Sequence, residues 1–260
     1  MKKRILIASL FLAAYLVFLL ATLPAALVAR HLPLPANITN LLKLEGVSGT
    51  LWSGQIARLQ YASESVNQLR WDLNGWSLLR FAPEVVIRFG DRNGLNGQGI
   101  VGWNGAAFGR DLTLNAPAPW LLSRVPMRLP IPLTVTGQLQ LKVEQFAQGN
   151  PWCDNLYGNL DWYNASADTP AGKLDLADPE VKLTCLDSKL GAELKQGSDA
   201  VQTMGRLELQ PNGQYLFQGT LKPGPALPPQ MQQGLPFLGQ PDSQGRFPLR
   251  YQADLSPHSR

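Results

Sequence analysis

Histidine is almost missing from this chain. His31 and His258 are the only two in 260 residues, and they stand far apart. A Ser-His-Asp or Cys-His site needs an imidazole beside its nucleophile, so neither chemistry is expected. No His, Cys and carboxylate cluster has metal-ligand spacing, and Asp175, Asp178 and Glu180 read as a solvated turn rather than a cation site. Gly97-Gln98-Gly99-Ile100-Val101-Gly102 matches the G-x-G-x-x-G spacing formally. The dinucleotide motif follows a buried strand and opens a helix, whereas here a turn-rich stretch precedes it and Trp103-Asn104-Gly105 follows. The glycines are read as part of a twisted strand. Nothing singles out a carboxylate pair for glycoside hydrolysis. The chain is read as a non-enzyme, with no catalytic residue, no cofactor and no metal.

Charge is also scarce, at 16% Asp, Glu, Lys and Arg, and its distribution is uneven. Residues 1–30 contain no acid but hold Lys2, Lys3, Arg4 and Arg30. Of the 23 basic residues this leaves 19 beyond position 30, against 19 acidic ones, so the overall charge of +4 comes from the first stretch. The remainder is formally neutral and lacks the basic excess that nucleic-acid binding favours. No nucleic-acid partner is expected. No long amphipathic helix appears either, while Gly (24) and Pro (21) are plentiful. That balance favours many short strands and turns.

What is present begins with the apolar run Ile5 to Leu23, preceded by Lys2-Lys3-Arg4. Its 19 positions would cover roughly 28 Å as a helix, at about 1.5 Å each, close to the hydrocarbon thickness of a bilayer. The run is longer than the h-region of a cleaved signal, so an uncleaved anchor is expected, with a cleaved signal as the alternative. The basic head puts residues 1–4 in the cytoplasm. An anchor over 5–23, a linker over 24–40 and an exported β-rich domain over 41–260 complete the expected organisation.

The exported part alternates apolar and polar residues in short stretches, the signature of half-buried strands. Leu44 to Ser63 reads as two strands with a kink or bulge at Gly46, Gly49 and Gly54. Further strands are expected at Gln68–Leu73, Pro83–Phe89, Gly97–Gly105, Arg110–Leu114, Leu133–Val143 and Leu156–Trp162. Others follow at Gly172–Leu176, Pro179–Leu186, Lys189–Leu194, Gly205–Leu209 and Gly245–Leu255. Pro211-Asn212-Gly213 marks a hairpin turn. Pro248 argues that the last strand lies at an edge. Short helices are expected at Pro117–Val125 and Leu227–Leu238. The predicted fold class is all-β, an extended curved antiparallel sheet or a sandwich with two short helices, after one N-terminal transmembrane helix. Cys153 and Cys185 both lie in the exported part, where a disulfide is the default and two buried free thiols the alternative. Trp52, Trp103, Leu139, Leu141, Leu235 and Phe237 are the candidate interaction residues.

The basic head and apolar run, Gly46-Val47-Ser48-Gly49-Thr50-Leu51-Trp52-Ser53-Gly54, the pair Cys153 and Cys185, Gly219-Thr220-Leu221-Lys222-Pro223-Gly224 through Leu235-Pro236-Phe237-Leu238-Gly239, and Gly245-Arg246-Phe247 occur in that order. Taken together they resemble the protein N (GspN) family of the bacterial type II (general) secretion pathway, over essentially the whole chain. A more distant resemblance links the β-rich part to AsmA-type proteins. The first resemblance implies an accessory inner-membrane component with a single-pass anchor, a periplasmic domain and no known enzymatic activity. Its partners would be other inner-membrane subunits of that secretion system and the membrane itself. The second implies phospholipid as an alternative partner, held on an apolar groove.

Overall fold

A computed structural model describes residues 2–31, 41–62, 64–91, 94–123 and 132–254. Residues 32–40 of the expected linker over 24–40 lie outside the described residues. The chain divides into two compact units, the first formed by residues 1–91 and 100–104, the second by 92–99 and 105–260.

The first unit opens with helix α1 (Lys2–Ala21) and a short helix α2 (Ala25–His31). Strands β1 (Leu42–Gly49), β2 (Ser53–Tyr61), β3 (Glu64–Leu73) and β4 (Glu84–Gly90) follow, with helix α3 (Gly75–Leu79) between the last two. β1, β2, β3 and β4 pair antiparallel in chain order. The register of β1 on β2 runs through Gly46 without a shift. The expected irregularity is therefore a backbone kink rather than a bulge, with Gly46 at φ 66°. Part of the stretch expected as linker is helical, since Ala25–His31 forms α2. Among the described residues no helix is long and apolar enough to cross a membrane. The side chains of residues 2–5 and 8, at the start of α1, are outside that description. The expected anchor over 5–23 is thus matched as an apolar helix and not as a complete span.

Strand β5 (Asn96–Trp103) contributes its first half to the second unit and its second half to the first. The G-x-G-x-x-G spacing is strand throughout. The second unit continues with β6 (Ala107–Pro117), helix α4 (Ala118–Leu122), β7 (Thr134–Ala147), β8 (Asn155–Thr169), β9 (Gly172–Ala177) and β10 (Glu180–Leu186). Then come β11 (Lys189–Gly197), β12 (Val201–Leu209), β13 (Gln214–Pro223), helix α5 (Pro229–Gln232), a 3₁₀ turn at Leu235–Leu238, and β14 (Phe247–Asp254). Strand order in this unit follows the chain, except that β10 and β9 share one edge of β8. Among the described residues β14 pairs only with β13, and Pro248 is on that outer strand as expected. The architecture is all-β, with antiparallel pairing wherever a register is described and no second sheet among the described residues.

Two strands are longer than alternation suggested, for one reason. The register between β7 and β8 shifts between Thr136 and Gln138, and again between Val143 and Gln145. Each shift changes which parity faces the apolar side. Leu156, Leu160 and Trp162 share one phase, then Ala165 and Ala167 resume in the other and are buried. On β7 the phase of Leu139, Leu141 and Val143 gives way to Phe146. The pattern therefore breaks at Asn164 and at Glu144 although both strands continue.

Among the described residues, buried side chains are few and mostly small. Ala116, Ala118, Val135, Ala165, Ala167, Ala200, Val201 and Leu227 are buried in the second unit. Cys153 and Cys185 form a disulfide that ties the β7–β8 loop to the end of β10, and Cys153 is fully buried. The default reading of those two cysteines holds over free thiols.

Candidate functional site

Two surfaces stand out, one in each unit. In the first unit, α1 is apolar on every described face. Leu6, Phe11, Tyr15, Val17 and Phe18 are all exposed. A helix that is apolar all round needs an apolar surround. The turn between β1 and β2 meets one carbonyl of its last turn and one just beyond its end. The Trp52 indole N–H donates to the Leu20 carbonyl at 2.8 Å, and the Leu51 N–H donates to the Leu23 carbonyl at 2.9 Å. Pro24 bridges to Thr50. The glycine-punctuated stretch Gly49–Gly54 thus caps α1, satisfying groups every helix end leaves open.

Trp71 completes this corner. Its indole N–H donates to the Leu51 carbonyl at 3.1 Å, and its ring lies across Gly54, where an added Cβ would come within 2.3 Å of it. Trp52 also accepts a backbone bond through its own carbonyl, from the Leu73 N–H at 2.6 Å. Beyond Leu73, Asn74 caps α3 by accepting from the Trp76 N–H at 3.1 Å. Trp103 lies at the end of β5, exposed, with its backbone N–H on the Pro83 carbonyl at 3.0 Å.

In the second unit the registers build rows across the sheet. One row reads Leu114, Leu141, Leu160, Val181 and Leu194; its neighbour reads Leu112, Val143, Gly158, Leu183, Ala192, Leu207 and Phe217. The alternate row, on the opposite face, is Thr113, Lys142, Asn159, Lys182, Glu193, Arg206 and Gln218. One face is polar and the other is a lane of aliphatic side chains, most of them half-buried. A cavity of about 230 Å³ opens on the apolar face, lined by Leu139, Leu160, Trp162, Leu176, Val181 and Leu194. Gln196 also lines it. Its side-chain nitrogen donates to the Val201 and Leu176 carbonyls at 2.9 and 3.1 Å. Its Oε1 is buried without a hydrogen-bond partner among the described residues.

The polar face carries ordinary surface electrostatics. Glu193 pairs with Arg206. The hydrogen bond and charge of that guanidinium hold the Glu193 carboxyl below its usual range, and Glu193 in turn raises Arg206. The charge of Asp161 beside Tyr163 raises the phenol. Such exposed pairs are worth little stability. Among the described residues no group of His, Cys, Asp and Glu could hold a metal. Asp178 and Asp175 accept backbone N–H groups of Asn164 and Ala177 at 2.7 and 2.9 Å, the behaviour of turn residues.

The sequence candidates do not converge on one site. Trp52 and Trp103 belong to the first unit. Leu139 and Leu141 share the apolar face of β7. Leu235 is half-buried in the 3₁₀ turn, and Phe237 is 92% exposed beside it. Trp71, Trp162 and Gln196 were not singled out as site residues; each is placed by a hydrogen bond to a residue distant in the chain.

The family model described as "Type II secretion system (T2SS), protein N" matches residues 40–250. The chain belongs to the type II secretion system protein N family. It is 81% identical over 255 residues to the type II secretion system protein N of Aeromonas hydrophila, covering 98% of this chain and 100% of that one. It is 34% identical to the protein N of Vibrio cholerae serotype O1, covering 98% and 100%. It is 32% identical to that of Pectobacterium carotovorum, covering 93% and 94%. No solved structure matches the chain. For this protein N family member the resemblance drawn from the ordered motifs holds over the whole chain. Two of those motifs now have structural roles, the Gly49–Gly54 turn as the cap of α1 and the cysteine pair as a staple.

Proposed function

We propose that this chain is an accessory component of the bacterial type II secretion system. In this reading α1 tethers it to the inner membrane, the basic head lies in the cytoplasm and the strands lie in the periplasm. It acts through protein–protein contacts with other inner-membrane subunits. Family membership over the whole chain carries the reading. The all-round apolar helix behind Lys2, Lys3 and Arg4 supports the topology, and the Cys153–Cys185 bond suits an oxidising compartment. Helix packing in the bilayer and main-chain pairing at strand edges are the contact modes available to such a chain. In-cell photo-crosslinking from α1 and from β14 tests this. Adducts with secretion-system subunits in the carbonate-resistant membrane fraction are expected. A soluble chain without such adducts overturns it.

A second reading has its own observation. The half-buried aliphatic lane of the second unit would suit an acyl chain, because contiguous exposed apolar surface marks a binding face. The test is lipid extraction and native mass spectrometry on the full chain in mild detergent. Phospholipid retained by the wild type and lost from the double variant Leu139→Asp, Leu141→Asp supports lipid binding. Equal lipid content in both, with the fold intact, overturns it.

A further inference from the structure

We propose that the segment Gly75–Ala82 is a second membrane contact, which lays Trp76, Leu79 and Phe81 into the interface of the leaflet where α1 ends. The occupant of this surface is phospholipid. The inference rests on the reading of α1 as a membrane-embedded helix and adds a contact site to it.

The segment has inverted polarity. Ser77 is the buried residue of α3; its hydroxyl donates to the Asn74 carbonyl at 2.5 Å and accepts the Glu84 N–H at 2.9 Å. The apolar residues point the other way, with Trp76 74% exposed, Leu79 71% and Phe81 90%. A short helix facing water on a soluble protein carries the opposite pattern. Phe81 is held at φ 56°, a left-handed conformation costly for a bulky residue, and it directs the ring outward. Single exposed apolar residues are ordinary. Three large ones within six positions make a patch that calls for a partner.

Hydrogen bonds connect that patch to the end of α1. Leu51 and Trp52 bond the carbonyls of Leu23 and Leu20. The Trp52 carbonyl accepts from Leu73, and a Cβ placed on Gly75 would lie 4.0 Å from the Trp52 ring. A helix end and an outward apolar turn joined this closely meet the same boundary. Trp is favoured at the membrane–water interface, and Arg80 between Leu79 and Phe81 can carry its guanidinium to lipid phosphates while its stem stays apolar. The arrangement is that of a monotopic contact supporting a spanning helix.

The test uses the full chain in phosphatidylethanolamine–phosphatidylglycerol nanodiscs, with the native disulfide intact and a nitroxide on one added cysteine. The positions are Leu12→Cys in α1, Leu79→Cys, Phe81→Cys, and Tyr61→Cys at the far end of β2, roughly 26 Å from Ser53 at strand rise. Expected are greater collision with oxygen than with a water-soluble nickel chelate at 12, 79 and 81, with 79 and 81 shallower than 12, and the reverse at 61. A lipid-like signal at 12 with water-like signals at 79 and 81 overturns this inference alone. A water-like signal at 12 overturns the anchor reading and this inference together.

Discussion

Gly137 and Trp162 show how single positions decide the sheet. Gly137 is at φ 107°, and a Cβ there would meet the Tyr163 carbonyl at 2.5 Å and the Trp162 indole nitrogen at 2.7 Å. That indole N–H donates to the Thr136 carbonyl at 2.9 Å. Gly137→Ala is therefore both strained and clashing, and about 2–3 kcal/mol of stability should be lost. At this domain size that is roughly 4–12 °C in Tm, readable by thermal denaturation; an unchanged Tm would show that the bulge relaxes freely. Asp242 is a second such position. Its carboxylate accepts the Arg246 and Gln244 backbone N–H groups at 2.9 and 2.8 Å and the Arg246 guanidinium at 2.8 Å. The backbone bond from Arg246 leads the effects that lower its pKa. A lowered carboxyl contributes stability that is present above its unfolded pKa and is lost as pH falls through the folded one. The Asp242 carboxyl carbon, followed by NMR, should titrate below the ordinary value of about 3.9. The turn should open only below that, and a midpoint at or above it would contradict the geometry.

At the scale of elements, local chemistry was legible where it is self-contained. Gln210 to Gly213 is the turn joining β12 to β13, as Asn-Gly between alternating strands requires. Pro248 sits on the outermost strand, where a missing N–H costs nothing. Strand lengths were less legible, because bulges at Asn164 and Glu144 reverse the side-chain phase in mid-strand. The disulfide joins elements whose proximity no spacing rule supplies, a loop residue at 153 and a strand residue at 185. Closing a loop of that size should stabilise the fold by roughly 3–4 kcal/mol on the chain-entropy account. Cys153→Ser should abolish the mobility difference between reduced and nonreduced chain on a gel and lower the denaturation midpoint. A persistent mobility difference would point to another pairing.

For the molecule as a whole, the deciding feature is layering. The central register rows of the second unit separate into apolar and polar ones, yet most of the aliphatic side chains remain half-buried because no second sheet lies over them among the described residues. This separates the two outcomes left open at the sequence level, a curved sheet and a sandwich, in favour of the single sheet. Leu141→Asp makes the difference measurable. On an open face the carboxylate reaches water, so the loss should stay under about 1.5 kcal/mol; in a closed core an unpaired buried charge would cost upward of about 4 kcal/mol. Far-UV circular dichroism with urea denaturation distinguishes the two, and an unfolded variant would argue for a covered core.

By itself the sequence determined the apolar run behind a basic head, the all-β class and the hairpin at Asn212-Gly213. These follow from composition and from interactions within a few residues. The tertiary structure alone decided that Trp52 caps the carbonyl of Leu20, that Ser77 is buried in α3 while Phe81 just after it is exposed, and that no second sheet covers the apolar face among the described residues. The physical reason is common to all three. Alternation specifies that a strand has two unlike faces, and a short apolar turn only that it needs an apolar neighbour. What covers a face depends on registers and on contacts between residues distant in the chain, and these exist only once the strands have paired.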